Sequence, residues 1–125
     1  MIGYITVGTN DMAKSAAFYD ALLGEMGAKR AMDEESFIVW SNGAGMFSIT
    51  KPFNQEPATV GNGVMVAFMA QDRESVDRLY AKAIELGATD EGKPGVRGGD
   101  ESSFYAAYFR DLDGNKLNFF HAPMP

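Results

Sequence analysis

Apolar and polar positions follow the same succession of patterns twice along this chain. Residues 2–8 alternate and are rich in β-branched side chains, which predicts a strand. Residues 12–23 follow the capping side chain of Asp11 with apolar residues at helical spacing, which predicts a helix. Two further apolar runs, at 37–40 and 46–50, predict strands, so the first half has the order β-α-β-β.

The second half repeats this order after a linker at residues 51–63. Residues 64–69 predict a strand, and residues 73–86 predict a helix capped by Asp72 and ended by Gly87. Residues 89–103 are rich in glycine and charge, which favours a mobile surface loop. Short extra strands near residues 29–32 and after Gly87 stay open as an alternative.

The last predicted hairpin joins residues 104–110 to residues 116–121 through a loop of Asp, Gly and Asn at 111–115. With that loop, Tyr108 lies opposite Asn118 and Ala106 lies opposite Phe120 on one face of the hairpin. The other face is apolar and predicts core. The first face mixes polar and aromatic side chains, and we expect it to line a ligand cavity.

An internal duplication accounts for the repeated order. A shift of 61 residues superposes Tyr4 on Met65 and the two capping aspartates on each other, and a shift of 70 superposes Ser48 on Asn118 and the loop 41–45 on 111–115. We therefore predict one domain over residues 1–125, built from modules at about 1–55 and 62–125.

Strand alternation assigns a set of side chains to the face away from the helices. Aromatic walls with a few polar groups are typical of small-molecule pockets, so we predict that this set binds a ligand. The alternative is that the same surface is a dry dimer interface. The predicted ligand-binding residues are Tyr4, Trp40, Ser48, Met65, Tyr108, Asn118 and Phe120.

Composition and charge narrow the function classes. The net charge is −6 and the chain has no basic run, so we expect no nucleic-acid or membrane partner. The absence of cysteine excludes disulfides, thiolate nucleophiles and cysteine-bound metals. The N-terminus has no charged leader before an apolar stretch, and a cytoplasmic protein is therefore the expectation.

Three segments resemble the vicinal oxygen chelate superfamily, which includes glyoxalases, bleomycin resistance proteins and extradiol dioxygenases. They are Tyr-Ile-Thr-Val-Gly-Thr-Asn-Asp at 4–11, Phe-Tyr-Asp-Ala-Leu-Leu-Gly at 18–24 and Tyr-Phe-Arg-Asp-Leu-Asp-Gly-Asn-Lys-Leu at 108–117. The resemblance implies an α+β fold of two tandem βαβββ modules, which form a cup-shaped mixed sheet with helices on the outer face. It also implies a homodimer.

The resemblance further implies a divalent metal held by His, Glu or Gln side chains at Tyr4, Ser48, Met65 and Asn118. All four residues depart from that pattern, because a phenol, a hydroxyl, a thioether and an amide provide neither an imidazole nor a carboxylate. We therefore expect no metal and no other cofactor.

Other candidate residues are better explained by structure than by chemistry. His121 has no ligand partner beside it, and Asp111 and Asp113 suit a turn. Arg97 is either an ordinary surface arginine or a residue that closes over an anionic ligand.

Our first hypothesis is metal-independent binding of a small, partly apolar or aromatic molecule. The alternative is a glyoxalase-like lyase or isomerase with an atypical or absent metal site and with Tyr4 or Tyr108 as acid–base group. A purely structural dimer module is a third possibility.

Overall fold

The computed structural model describes residues 1–123, which form two compact units divided between Gly61 and Asn62. Each unit contains one helix and one four-stranded mixed sheet in βαβββ order, so the predicted α+β fold of tandem modules is confirmed. That the units form a single domain stays a prediction.

The first unit comprises β1 Tyr4–Gly8, α1 Met12–Gly24, β2 Lys29–Asp33, β3 Phe37–Ser41 and β4 Met46–Thr50. The second comprises β5 Val66–Met69, α2 Arg73–Glu85, β6 Thr89–Val96, β7 Tyr105–Arg110 and β8 Lys116–His121. Neither helix in this part of the chain has the length and apolar character needed to cross a membrane.

The two sheets have the same strand order. β4 lies between β1, which runs parallel to it, and β3, and β2 forms the far edge. In the second sheet β8 likewise lies between the parallel strand β5 and the antiparallel strand β7, with β6 at the far edge. The helix after the first strand of each unit provides the crossover that a parallel pair requires.

Helix α1 covers one face of the first sheet. The Asp11 side chain accepts a hydrogen bond from the Lys14 amide at 3.1 Å and so caps the helix. From α1 the Tyr19 ring lies 4.7 Å from the Phe47 ring and 5.7 Å from the Trp40 ring, between centroids. These three aromatic side chains are buried and form the centre of the first core.

Helix α2 covers the corresponding face of the second sheet. Asp72 caps it by accepting a hydrogen bond from the Ser75 amide at 2.7 Å. Its buried stripe faces apolar side chains of β7 and β8 that have no exposed surface. This second core includes Val76, Leu79, Ala83, Phe109, Leu117 and Phe119.

The predicted hairpin at the end of the chain is confirmed in its register. Tyr108 pairs with Asn118 and Ala106 with Phe120, and the loop covers residues 111–115. The Asp111 carboxylate accepts hydrogen bonds from the amides of Asp113 and Asn115, at 3.0 and 2.9 Å, as its predicted role in the turn requires.

Two predictions, on the first hairpin loop and on residues 89–103, are wrong. Ser41 pairs with Met46, so the loop of the first hairpin has four residues, 42–45, and lacks the fifth that we predicted. Residues 89–96 form the edge strand β6 and not part of a loop across 89–103, in agreement with the alternative of a short strand after Gly87. Pairing with β7 overrides the poor strand propensity of Gly92 and Pro94, and register irregularities accommodate the misfit.

Candidate functional site

The candidate site lies on the second sheet, on the side opposite Leu117 and Phe119. We call this side the Asn118 face. Asn118 stands between Ala67 of β5 and Tyr108 of β7, which are its direct partners in the two neighbouring strands. Side chains of directly paired residues point to the same face of a sheet, and Phe120 shares this face because it lies two residues further along β8.

The Asn118 side chain is buried and incompletely bonded. Its exposed fraction is 1%, and no hydrogen-bond donor among residues 1–123 reaches its carbonyl oxygen, Oδ1. Leaving a buried acceptor without a partner costs about 1–3 kcal/mol. Since folded proteins satisfy most such groups, a donor that reached this oxygen would be stabilising, and reaching it requires movement of the protein atoms that cover it.

Tyr108 lies beside Asn118, and two cationic side chains approach its ring. The Arg97 guanidinium carbon is 5.4 Å from the centre of the Tyr108 ring, and the Lys116 ammonium nitrogen is 5.7 Å from it. Both distances are within the range of cation–π interactions. Arg97 Nη2 also donates a hydrogen bond to the Lys93 carbonyl at 2.6 Å, which holds the guanidinium in place.

Gly92 makes this arrangement possible. A Cβ atom at Gly92 would lie 3.1 Å from Tyr108 Cδ1 and 3.2 Å from Arg97 Nη2. Both distances are shorter than ordinary van der Waals contacts, so a larger residue would push the ring or the guanidinium away. The absence of a side chain at Gly92 therefore helps to define the position of both groups.

Aromatic and methionine side chains provide apolar surface near Asn118. The Phe120 ring stacks on Phe104, with centroids 5.6 Å apart. Met69 pairs with Phe120 on the adjacent strand and is exposed, and Met65, which directly precedes β5, is 42% exposed. Such thioether side chains adapt well to varied apolar ligands.

The first unit holds the other predicted residues. Thr6 pairs with Ser48, so Tyr4 and Ser48 share one face of the first sheet, as alternation predicted. Tyr4 is 62% exposed, whereas Ser48 is buried and its hydroxyl donates to the Ile49 carbonyl at 3.4 Å. The structure thus groups the predicted residues within each unit, and their convergence on one cavity stays a prediction.

The prediction that Trp40 shares this face is wrong. Trp40 pairs with Phe47, its ring contacts Tyr19, and its indole nitrogen donates to Asp20 Oδ1 at 2.9 Å, so it lies under α1. The cause is the length of the first hairpin loop, because a shift of one residue in register turns every side chain of a strand to the other face.

Sequence reasoning missed a groove of about 960 Å³ in the first unit. It runs between the start of α1 and the segment after β4, and Phe53 at its margin is fully exposed. Asn10 closes one end by exchanging two hydrogen bonds with the Ala58 backbone, at 2.7 and 3.0 Å. The available signal was an aromatic residue between Pro52 and Pro57, within the segment predicted as a linker.

Several carboxylates and phenols near the helices have shifted pKa values. The Arg30 guanidinium, which bonds to the Asp20 carboxylate at 2.7 Å, lowers the pKa of Asp20. Burial, followed by a 2.8 Å hydrogen bond to Asp90, raises the pKa of Tyr80 to about 12. These groups lie beside α1 or α2 and not on the Asn118 face.

A family model of the Glyoxalase/Bleomycin resistance protein/Dioxygenase superfamily matches residues 1–119. The chain belongs to this superfamily. The resemblance inferred from the three sequence segments is thereby confirmed.

Solved structures place the chain within the same superfamily. A glyoxalase/bleomycin resistance protein from Albidiferax ferrireducens T118 is 42% identical with a TM-score of 0.89, and the match covers 98% of this chain and 99% of that one. The hypothetical protein SA1046 from S. aureus is 29% identical with a TM-score of 0.76, covering 98% and 95%. A lactoylglutathione lyase from Agrobacterium tumefaciens, 20% identical with a TM-score of 0.72 and coverage of 97% and 92%, shares the fold. None of the curated proteins compared with the chain matches it.

By the resemblance, a metal would be held at Tyr4, Ser48, Met65 and Asn118, and these residues do not fit a divalent cation. They supply a phenol, a hydroxyl, a thioether and an amide, whereas such ions prefer carboxylates and imidazoles. Nor do residues 1–123 bring three or more His, Cys, Asp or Glu side chains together at any other place where they would hold an ion. We therefore derive no chemistry through a metal.

Proposed function

We propose that the protein binds a small, partly apolar or aromatic molecule on its Asn118 face without a metal. The observation that supports this most strongly is the buried Asn118 carbonyl oxygen, which has no donor among residues 1–123. It stands next to the Tyr108 ring and two positions from Phe120. Apolar walls with a few convergent polar groups are what a binding site for a small organic molecule needs.

Binding is a better proposal than catalysis because of the side chains on this face. General acid–base catalysis needs a group whose pKa is near the working pH. The ionisable residues near Asn118 include Tyr108, Lys116, Arg97 and Arg110, and the last of these is paired with Glu91 at 2.6 Å. This set contains neither a histidine nor an unpaired carboxylate to act as a base.

A glyoxalase-like lyase or isomerase with an atypical metal site is the alternative. The superfamily includes enzymes by its printed description. This alternative requires a bound metal or a catalytic base, and metal analysis of the purified protein separates it from the proposed function.

Two measurements test the proposal. A thermal-shift screen of aromatic metabolites and antibiotics should yield binders, since a ligand at one hundred times its Kd stabilises a protein by about 2.7 kcal/mol. Elemental analysis of protein purified without chelator should give less than about one tenth of an equivalent of metal, because a structural or catalytic metal site retains its ion stoichiometrically. A stoichiometric metal, or a broad panel without binders, would contradict the proposal.

The variant Asn118→Leu localises the binding. It keeps the volume of the side chain and removes the acceptor, so hits should lose affinity. The matched control is Asn115→Leu, which changes the same residue type in the adjacent loop, outside the strands of the sheet. Equal affinity of a hit for both variants would place the ligand elsewhere.

We also propose that the protein is a cytoplasmic homodimer. Large apolar side chains are exposed near the start of each unit, at Ile2 and Tyr4 in the first and at Val64 and Met65 in the second, and subunit contact would remove them from water. Light scattering coupled to gel filtration should give twice the mass of the chain, and a monomer at all concentrations would contradict this.

A further inference from the structure

Two Asn-Gly sequences lie in loops of this chain, at Asn42-Gly43 and at Asn62-Gly63. In such a sequence the glycine nitrogen can attack the asparagine Cγ, because glycine has no side chain that obstructs a close approach. The new bond closes a succinimide ring, the bond from Cγ to Nδ2 breaks, and ammonia leaves with the proton of the glycine amide. Water then opens the ring to aspartate or isoaspartate, so a neutral amide becomes a carboxylate.

The two sequences are matched in exposure and in the backbone conformation of the glycine. Both asparagines and both glycines are exposed. The φ angles of Gly43 and Gly63 are 87° and 92°, so both glycines have the left-handed conformation that glycine adopts without strain. A difference in reactivity therefore has to come from the hydrogen bonds that hold the reacting groups.

The Asn42 side chain is held at both ends of its amide group. Its Oδ1 accepts hydrogen bonds from the amides of Ala44 and Gly45, at 2.9 and 3.3 Å. Its Nδ2 donates a hydrogen bond to the Met26 carbonyl at 3.4 Å. Turning Cγ toward the next backbone nitrogen would break these bonds, so the fold opposes ring closure at Asn42.

The attacking nitrogen differs between the two loops in the same direction. The Gly43 amide donates a hydrogen bond to the Ser41 hydroxyl at 3.2 Å. In contrast, the hydrogen bonds formed within residues 1–123 include none made by Asn62 or Gly63. Neither the side chain nor the nitrogen of the second sequence has to give up a protein partner before the ring closes.

We propose that Asn62 is a site of spontaneous deamidation in the folded protein, and that the fold protects Asn42. The product adds one negative charge to a chain whose net charge is −6. Its isoaspartate form also inserts a methylene group into the main chain at the start of the second unit, ahead of β5. This modification needs only water, and it does not rest on the proposed function.

Mass spectrometry of the full chain tests the proposal. The protein is incubated at mildly alkaline pH and physiological temperature, and samples are digested with chymotrypsin. Cleavage after Phe47 and Phe53 puts the two asparagines in different peptides, and a zero-time sample corrects for change during digestion. Asn62 should convert roughly tenfold or more faster than Asn42, because ring closure at Asn42 first breaks at least two hydrogen bonds.

Two controls assign the difference to the fold and to the residue. In concentrated urea both asparagines lose their partners and both are followed by glycine, so they should convert at similar rates. Asn62→Gln should abolish most of the acidic species that accumulates on anion exchange, because the longer side chain closes a larger ring more slowly. Asn42→Gln should leave that species unchanged.

Three results would overturn the proposal. One is conversion of Asn42 at least as fast as that of Asn62 in the native chain. Another is an Asn62 that does not react in the native chain although it reacts in urea, which would show that contacts in solution hold it. The third is a difference that persists in urea, since it would assign the selectivity to flanking residues and not to the folded loops.

Discussion

Tyr108 on β7 and Asn118 on β8 lie directly opposite each other. Two cationic side chains approach the Tyr108 ring. Asn118 is buried, and its carbonyl oxygen has no hydrogen-bond donor within residues 1–123. Opposed side chains in antiparallel strands share a face and lie within contact distance. The polar acceptor, the aromatic surface and the positive charge therefore belong to one location. This is the basis for assigning ligand binding to the Asn118 face.

The unsatisfied acceptor predicts an unusual response to mutation. Asn118→Leu should raise the free energy of unfolding of the ligand-free protein by about 1 kcal/mol or more, because it removes a buried acceptor that lacks a donor. Asn115→Leu should lower it by about 1–2 kcal/mol, since it removes a 3.0 Å hydrogen bond to Asp111. Urea unfolding measures both. Equal destabilisation by the two variants would show that Asn118 has a partner in solution.

Gly92 and Gly24 should respond in opposite ways to replacement by alanine. At Gly92 the new Cβ meets Tyr108 and Arg97 at 3.1 and 3.2 Å, so we expect a loss of roughly 1 kcal/mol in stability. At Gly24, in the last turn of α1, it meets nothing within 4 Å, and alanine should gain about 0.5–1 kcal/mol. Thermal unfolding compares the two, and a stabilising Gly92→Ala would show that the ring and guanidinium are not held closely.

The pKa of Asp20 gives a pH-dependent prediction. Its folded pKa lies below the ordinary value, chiefly through the hydrogen bond to Arg30, so the unfolded state binds more protons as the pH falls. Its contribution is complete above about pH 5, where the carboxyl is ionised in both states, and is lost as pH falls through the lowered value. The contribution is modest because the side chain is partly exposed.

Asp20→Asn isolates this effect from the other carboxylates. The stability difference between the unaltered protein and the variant should be largest near pH 6 and should shrink toward pH 3. Urea unfolding at both pH values measures it. A difference that stays constant with pH would mean that the Asp20 charge does not stabilise the fold.

The position of Trp40 can be checked by fluorescence. It is the only tryptophan, 1% of its surface is exposed, and its indole donates a hydrogen bond to Asp20. Iodide should therefore quench its emission several-fold less in the native protein than after unfolding in guanidinium chloride. Quenching of similar strength in both states would contradict the burial of Trp40 under α1.

Much of the fold follows from the sequence because local signals agree with one another. The Asp-Leu-Asp-Gly-Asn loop defines one hairpin without ambiguity, and the capping aspartates mark both helices. In the first hairpin the loop is less clearly bounded. Ser41 is a strand residue whose hydroxyl nevertheless accepts a bond from the Gly43 amide, while Asn42 caps the amide of Ala44. Because Ser41 belongs to the strand and not to the loop, the register shifts by one residue and Trp40 points to the face covered by α1.

The site is less predictable because it depends on tertiary contacts. Residues 89–96 lack strand propensity, so neither β6 nor the position of Arg97 over Tyr108 follows from local sequence. Whether the Asn118 carbonyl oxygen finds a hydrogen-bond donor likewise depends on every side chain packed around it, and these come from separate parts of the sequence. The sequence predicts that Tyr108 and Asn118 are neighbours, whereas the burial of the Asn118 oxygen and the position of Arg97 near the Tyr108 ring follow only from the folded structure.

The most direct test of the account is an NMR titration that follows the side-chain amide of Asn118. The ligand is the compound from the thermal-shift screen that binds the unaltered protein most tightly. We predict that the largest shifts occur at the Asn118 side chain and the Tyr108 backbone, with Phe53 in the groove of the first unit unaffected. Shifts concentrated at Phe53, or none at Asn118, would contradict the claim that the Asn118 face binds the ligand.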